Sequence, residues 1–168
     1  MKLLVCISKA PDTTSKIAFK DNDTRFVEDG VQWIINPYDE WYGLVRALEL
    51  KEKFGGTVTA ISIGGTDYDP IIRKAFAIGA DDGIRIDAQP TDAFFVARQI
   101  ADFAKAQNYD IVFLGKETID FNGSQIGGMV AEFLDMPFVS MAAKLELNGN
   151  IATCERDIQG GTEVLEIK

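Results

Sequence analysis

The spacing of apolar and polar positions changes period several times along this chain, and each change marks an element. Residues 2–8 form a short, nearly continuous apolar run, the pattern of a strand buried on both faces; it must stop by Pro11, which has no N–H to give a ladder. Residues 9–14 read as a turn-rich loop, residues 17–27 as a small hairpin turning at residues 21–24, and residues 31–35 as a further apolar run, together an excursion from the main sheet. Asn36 then reads as a helix cap, with Pro37 at the first helical position and Asp39 and Glu40 in the first turn, where the helix dipole favours anions. Trp41, Leu44, Val45 and Leu48 continue at helical spacing until Gly55-Gly56 stops them.

Residues 58–63 predict a strand, 64–67 a loop, 69–78 a helix closed by Gly79, 83–86 a short strand, and 92–106 a helix whose inner stripe is Val96, Ile100 and Phe103. Residues 111–114 are a four-residue apolar run of the kind found in buried strands, and Ile126, Met129, Val130 and Phe133 fall on one helical face. Alternation of strand and helix up to residue 134 predicts an α/β fold, a mainly parallel doubly wound sheet with right-handed crossovers and helices on both faces. After Pro137 the period drops to two, with Asn148-Gly149 and Gly160-Gly161 as tight turns, so residues 140–168 read as an antiparallel β-meander extending a single domain, residues 1–168. The alternation is still running at Lys168, which raises the expectation of a longer polypeptide.

Composition narrows the function. At 168 residues the chain can bury one core, removing roughly 70% of its unfolded surface from water. With 46% hydrophobic and 26% charged residues it is ordinary for a soluble globular domain, and no apolar run approaches the ~20 residues that span a bilayer. The first strand is too short for a signal-peptide core, so the expectation is a cytoplasmic protein without membrane insertion. A net charge of −9 argues against nucleic acid. The only cysteines, Cys6 and Cys154, stand at opposite ends and read as buried thiols. Histidine is absent, which removes Ser-His and Cys-His catalytic pairs and the commonest transition-metal ligand.

The candidate chemistry is the loop at residues 115–124, which crosses the carboxyl end of the sheet, where open α/β folds bind ligands and a helix start offers unpaired N–H groups to an anion. Its Gly123-Ser124-Gln125-Ile126-Gly127-Gly128 stretch matches neither the dinucleotide fingerprint nor a P-loop. Context carries the signal: Asn122 and Ser124 read as possible caps, and the glycines serve either close approach to a phosphate or ribose or close packing of helix on sheet. Ser62 to Asp67 resembles the pyrophosphate loop of adenylating ATP pyrophosphatases, but Ile63 and Tyr68 stand where that loop has hydroxyls, so it reads as a turn. Lys9 and Lys116 can each supply a cation to a phosphate or remain solvated. Asp12, Glu117 and Asp120 are not paired in sequence as acid and base, and Trp33, Tyr38 and Trp41 read as packing.

Several stretches in order resemble the β subunit of electron-transfer flavoproteins: Leu3 to Asp12, Asn36 to Glu40, Arg46 to Lys53, Ala75 to Asp81, Gly115 to Asp120 with Gly127-Gly128-Met129, Ala131 to Pro137, and Glu155 to Gly161. The resemblance implies an adenine nucleotide α-hydrolase-like fold and a non-catalytic electron-carrier subunit. It implies AMP in this chain, FAD mainly in a partner α subunit, and electrons passing from acyl-CoA dehydrogenase-type donors to a quinone oxidoreductase. In one branch of the family a second FAD replaces AMP. Carried over by position, the nucleotide contacts are Cys6, Asn36, Pro37, Tyr38, Asp39, Ile63, Gly115, Lys116, Glu117, Thr118, Ile119, Asp120, Phe121, Asn122, Gly123, Ser124, Gln125 and Ile126. The loop departs from the family where Phe121-Asn122-Gly123 replaces acidic residues and Ile126 replaces a common threonine, and family members continue past Lys168. Two readings compete: a stand-alone adenine-nucleotide module of universal-stress-protein type, and an adenylating enzyme.

Overall fold

The computed structural model describes residues 1–168. In chain order its elements are β1 (Lys2–Cys6), β2 (Lys9–Pro11), β3 (Phe19–Lys20), β4 (Arg25–Phe26), β5 (Trp33–Ile35), α1 (Asp39–Phe54), β6 (Thr57–Ile63), a 3-10 turn (Thr66–Tyr68) and α2 (Asp69–Ile78). They continue with β7 (Asp82–Ile86), α3 (Ala93–Lys105), β8 (Ile111–Phe113), α4 (Ile126–Leu134), β9 (Ala142–Asn148), β10 (Ile151–Ile158) and β11 (Gly161–Ile167).

The continuous apolar run of β1 reflects its place inside a four-stranded parallel sheet of order β7-β6-β1-β8. Successive side chains of a strand face opposite ways, and here each set has its own core. Leu3, Val5 and Ile7 pack with Leu44, Ala47 and Leu50 of α1 and Ile71, Ile72 and Ala75 of α2. Leu4 and Cys6 pack on the other side with Ala97, Ile100 and Ala104 of α3 and Val130 of α4. The doubly wound parallel sheet with helices on both faces is therefore present. From β1 the chain steps to β6 and then β7 on one side, and returns to place β8 on the other side of β1. That reversal is the topological switch point, and it lies between the carboxyl ends of β1 and β8.

Four local expectations need correction. Residues 111–114 are not a fully buried strand: β8 pairs only with β1 and its residues are half-buried, because it is the edge of the sheet. The inner stripe of α3 is Ala97, Ile100, Ala101 and Ala104, with Val96 and Phe103 flanking it, since alanines let the helix axis approach the sheet. Residues 9–14 are not all loop, for β2 pairs antiparallel with β5, and Pro11 fits there because it closes the short strand at a sheet edge. Finally, α1 starts at Asp39 and not at Pro37; its cap is Tyr38, with φ of 65° and no side-chain cap hydrogen bond. The β3–β4 hairpin, the Gly55 stop of α1 and the bounds of α2 match the sequence reading.

The meander forms a separate three-stranded antiparallel sheet, β11-β10-β9. Leu145 and Leu147 pack against the core of α1 and α2, and Arg46 donates from Nη2 to the Leu145 carbonyl (2.5 Å), so α1 is the seam between the two sheets. No helix is long and apolar enough to cross a membrane.

Candidate functional site

Parallel strands end on the same side of a sheet, so β6, β1 and β8 deliver Ile63, Cys6 and the Gly115 loop to one edge. Cys6 and Ile63 are buried, which leaves only backbone for a ligand there. Burial, then the neighbouring Glu40 charge, push the Cys6 thiol far up, so it is inert at neutral pH.

Asn36 organises the edge. Its backbone N–H donates to the Ser8 carbonyl (3.1 Å), tying it to the end of β1. Its side chain, 1% exposed, donates from Nδ2 to the Glu117 carbonyl (3.0 Å) and accepts at Oδ1 from the Ile119 N–H (2.9 Å). This is why Asn36 does not cap α1: both ends of its amide hold the loop. Asp39 adds a longer contact, accepting from the Glu117 N–H (3.3 Å). Gly115 lets the two segments close up, because a Cβ there would stand 2.8 Å from Glu40 Cγ and 3.2 Å from Asp39 Cβ. The sequence-predicted groups Asn36 to Asp39 and Gly115 to Asp120 are thus one hydrogen-bonded unit.

Beyond Ile119 the loop turns outward. Thr118 closes a turn, its carbonyl accepting from the Asn122 N–H (2.9 Å) and its Oγ1 from the Phe121 N–H (3.3 Å). Residues 121–125 are all exposed, Phe121 at 84%. Asn122 and Ser124 adopt left-handed φ of 48° and 51° on either side of Gly123, where an added Cβ would meet nothing within 4 Å. The N–H groups of Gly123, Ser124 and Gln125 are engaged by no acceptor of the chain, and α4 begins directly behind them at Ile126. Neither expected cap acts as one: the N-cap is Gln125 without a side-chain bond, and Ser124 Oγ donates to Glu117 Oε2 (2.8 Å). That bond, then the Lys116 pair at 3.2 Å, holds the Glu117 carboxyl below its usual range and spends the Lys116 ammonium. Gly127 and Gly128 serve packing, since their missing Cβ atoms face the Phe138 ring at 3.1 and 3.6 Å.

Two features escaped the sequence reading. The sequence marks Glu40 only as an anion favoured by the helix dipole, yet it is 7% exposed, and its Oε2 and Oε1 accept from the Ser8 N–H (2.6 Å) and Ser8 Oγ (2.7 Å). Burial first, with the Asp120 and Asp39 charges adding and the Ser8 bonds opposing, pushes its carboxyl up to about 8. The available signal was periodicity, for Glu40, Leu44 and Ala47 lie at i, i+4 and i+7 on the buried face of α1. Lys9 is likewise neither solvated nor free: its ammonium lies over the Trp33 ring (4.1 Å), faces Tyr68 (5.4 Å) and pairs with Asp67. No group of three or more His, Cys, Asp or Glu side chains is placed to hold a metal ion.

A family model described as "Electron transfer flavoprotein domain" matches residues 23–168. Among curated relatives, the electron transfer flavoprotein subunit beta of Bacillus subtilis is 36% identical over 170 residues, covering 99% of this chain and 65% of that protein. The subunit of the same name from Thermoanaerobacterium thermosaccharolyticum is 34% identical over 171 residues, covering 100% and 65%, and the human one 37% over 174 residues, covering 100% and 68%. The chain spans 65% to 68% of the length of these relatives.

Proposed function

The chain belongs to the electron transfer flavoprotein β-subunit family, and from that premise we propose that it is a non-catalytic electron-carrier subunit binding AMP at the β1–β8 switch point. In this reading a partner α subunit carries most of the FAD site. The FAD supplies redox chemistry between acyl-CoA dehydrogenase-type donors and a quinone oxidoreductase, and this chain seats its partner. The relatives' shared name supports the heterodimer over the stand-alone nucleotide module and the adenylating enzyme.

The observation that carries the nucleotide reading is the unengaged N–H row of Gly123, Ser124 and Gln125 ahead of α4, beside open space at Gly123. Backbone donors before a helix suit a phosphate, and they need neither the missing Ile126 hydroxyl nor a lysine. The Asn36 clamp fixes the root of this loop, while Cys6, Ile63 and residues 36–39 offer backbone to ribose and adenine.

AMP at a hundred times its dissociation constant stabilises the native state by about 2.7 kcal/mol, a rise of roughly 5–10 °C in melting temperature at this chain length. The test is thermal melting of the nucleotide-stripped chain, alone and with its copurifying partner, against AMP, ADP and FAD. A rise with FAD but not AMP assigns the site to a second flavin. Unmoved curves with all three overturn the nucleotide assignment.

A further inference from the structure

Ser8 and Glu40 form a two-residue hydrogen-bonding unit at the switch point, and the unit has two settings. The Ser8 N–H always donates to Glu40 Oε2 (2.6 Å). The second bond, between Ser8 Oγ and Glu40 Oε1 (2.7 Å), can run either way, because a hydroxyl both donates and accepts. With Glu40 ionised, Ser8 must donate, and its oxygen offers only lone pairs to anything beyond. With Glu40 neutral, the carboxyl donates to Ser8 Oγ, and the hydroxyl hydrogen of Ser8 is released to donate elsewhere.

Resting on the nucleotide reading above, we propose that Glu40 is a positioning residue whose protonation state sets whether the Ser8 hydroxyl meets the bound nucleotide as a donor or as an acceptor. Glu40 is built into the site from three sides. It sits in the first turn of α1, it holds the end of β1 through Ser8, and its Cγ lies under Gly115 at the root of the loop. The titratable groups around it are the Cys6 thiol from β1, Asp39 from α1, Asp120 from the loop and Tyr68 beyond β6, and none of them is a cation. With its carboxyl pushed up to about 8, both settings are populated near neutral pH. Adenine N1, N3 and N7 and the phosphate oxygens only accept, and the ribose hydroxyls adapt to either setting, so the neutral setting has more partners on a nucleotide and is the one that binds. It also removes a negative charge from the sheet edge that receives the anionic nucleotide. Nucleotide binding therefore takes up a proton at Glu40.

The test is calorimetric titration of the complete chain with AMP at pH 7 and pH 9, in buffers of differing ionisation enthalpy. Both conditions lie above the second phosphate ionisation at about 6. The expected result is binding about tenfold weaker at pH 9, the size of one hydrogen bond at a charged group, with uptake of about one proton per AMP at pH 9 and little at pH 7. Glu40→Gln presents a carbonyl to the Ser8 N–H and an amide donor to Ser8 Oγ, the neutral setting made permanent. It should bind AMP equally at both pH values, near the wild-type affinity at pH 7. In a Ser8→Ala background the gain from Glu40→Gln at pH 9 should shrink; an undiminished gain there means a charge effect alone and overturns the proposal. AMP binding that is flat in pH, with no proton uptake, overturns it while leaving the nucleotide site standing. Absence of AMP binding at either pH overturns both.

Discussion

Replacing Asn36 with alanine removes both hydrogen bonds that join the end of β5 to the Gly115 loop, and the size of the loss can be worked from their setting. The side chain is 1% exposed, and its two partners, the Glu117 carbonyl and the Ile119 N–H, lie at 3.0 and 2.9 Å in a partly buried position. A buried polar group left unpaired costs about 1–3 kcal/mol; half-burial of the loop lets water reach the partners in part, so the pair together is worth about 2–4 kcal/mol. At this length that lowers the melting temperature by roughly 4–16 °C. Denaturant unfolding gives the free energy, and amide hydrogen exchange at Ile119 reports the local effect, since its N–H loses its acceptor. Asn36→Asp keeps an acceptor for Ile119 but sets a buried carboxyl oxygen against the Glu117 carbonyl, so it should destabilise at least as much as alanine. A loss below ~0.5 kcal/mol with unchanged exchange at Ile119 would refute the clamp.

Glu40 gives an unusual pH dependence of stability. Its folded value of about 8 lies above an ordinary value of 4.5, so between those pH values the native state holds more protons than the unfolded chain and stability falls as pH rises, by roughly 5 kcal/mol in all. Glu40→Gln should flatten that slope, measured by urea unfolding from pH 5 to 9; an unchanged slope places the titrating group elsewhere. The depressed carboxyls of Asp67 and Asp81 act in another window, losing their contribution only as pH falls through the acid range below about 4. Gly64→Ala would put a Cβ 2.3 Å from the Tyr68 ring and should cost about 1–3 kcal/mol, most of it recovered in a Tyr68→Ala background by thermal melting. Equal losses in both backgrounds would show that the ring is not what the glycine accommodates.

Much of the fold was legible because its signals are local. Period and stop residues gave α2, the end of α1 and the change of grammar after Pro137, for those depend on neighbours in the chain. What failed depends on partners distant in sequence. Asn36 has the composition of a cap, and nothing nearby tells that its amide is held by residues 81 and 83 positions away. Residues 111–113 have the composition of a buried strand, and only the sheet order makes them an edge. Lys9 reads as a surface cation until Trp33, Tyr68 and Asp67 close on it. The segments singled out in the sequence at residues 36–39 and 115–120 do meet in the structure, but the reversal of roles around them was not legible: Ser124 spends its hydroxyl on Glu117, and Glu40 keeps its carboxyl from water.

The central position of β1 has a consequence for synthesis. Ribosomes release this strand before either of its neighbours, the strands at Thr57–Ile63 and Ile111–Phe113. At ~5–20 residues per second, the apolar run at residues 3–7 waits several seconds for its first partner and about twice as long for its second. Through that interval it is an unpaired, fully hydrophobic segment of the kind that chaperones hold and that pairs wrongly between nascent chains. The productive order is then fixed: the β1–α1–β6 unit can close as soon as it emerges, and the edge that carries the Gly115 loop can form only on top of it.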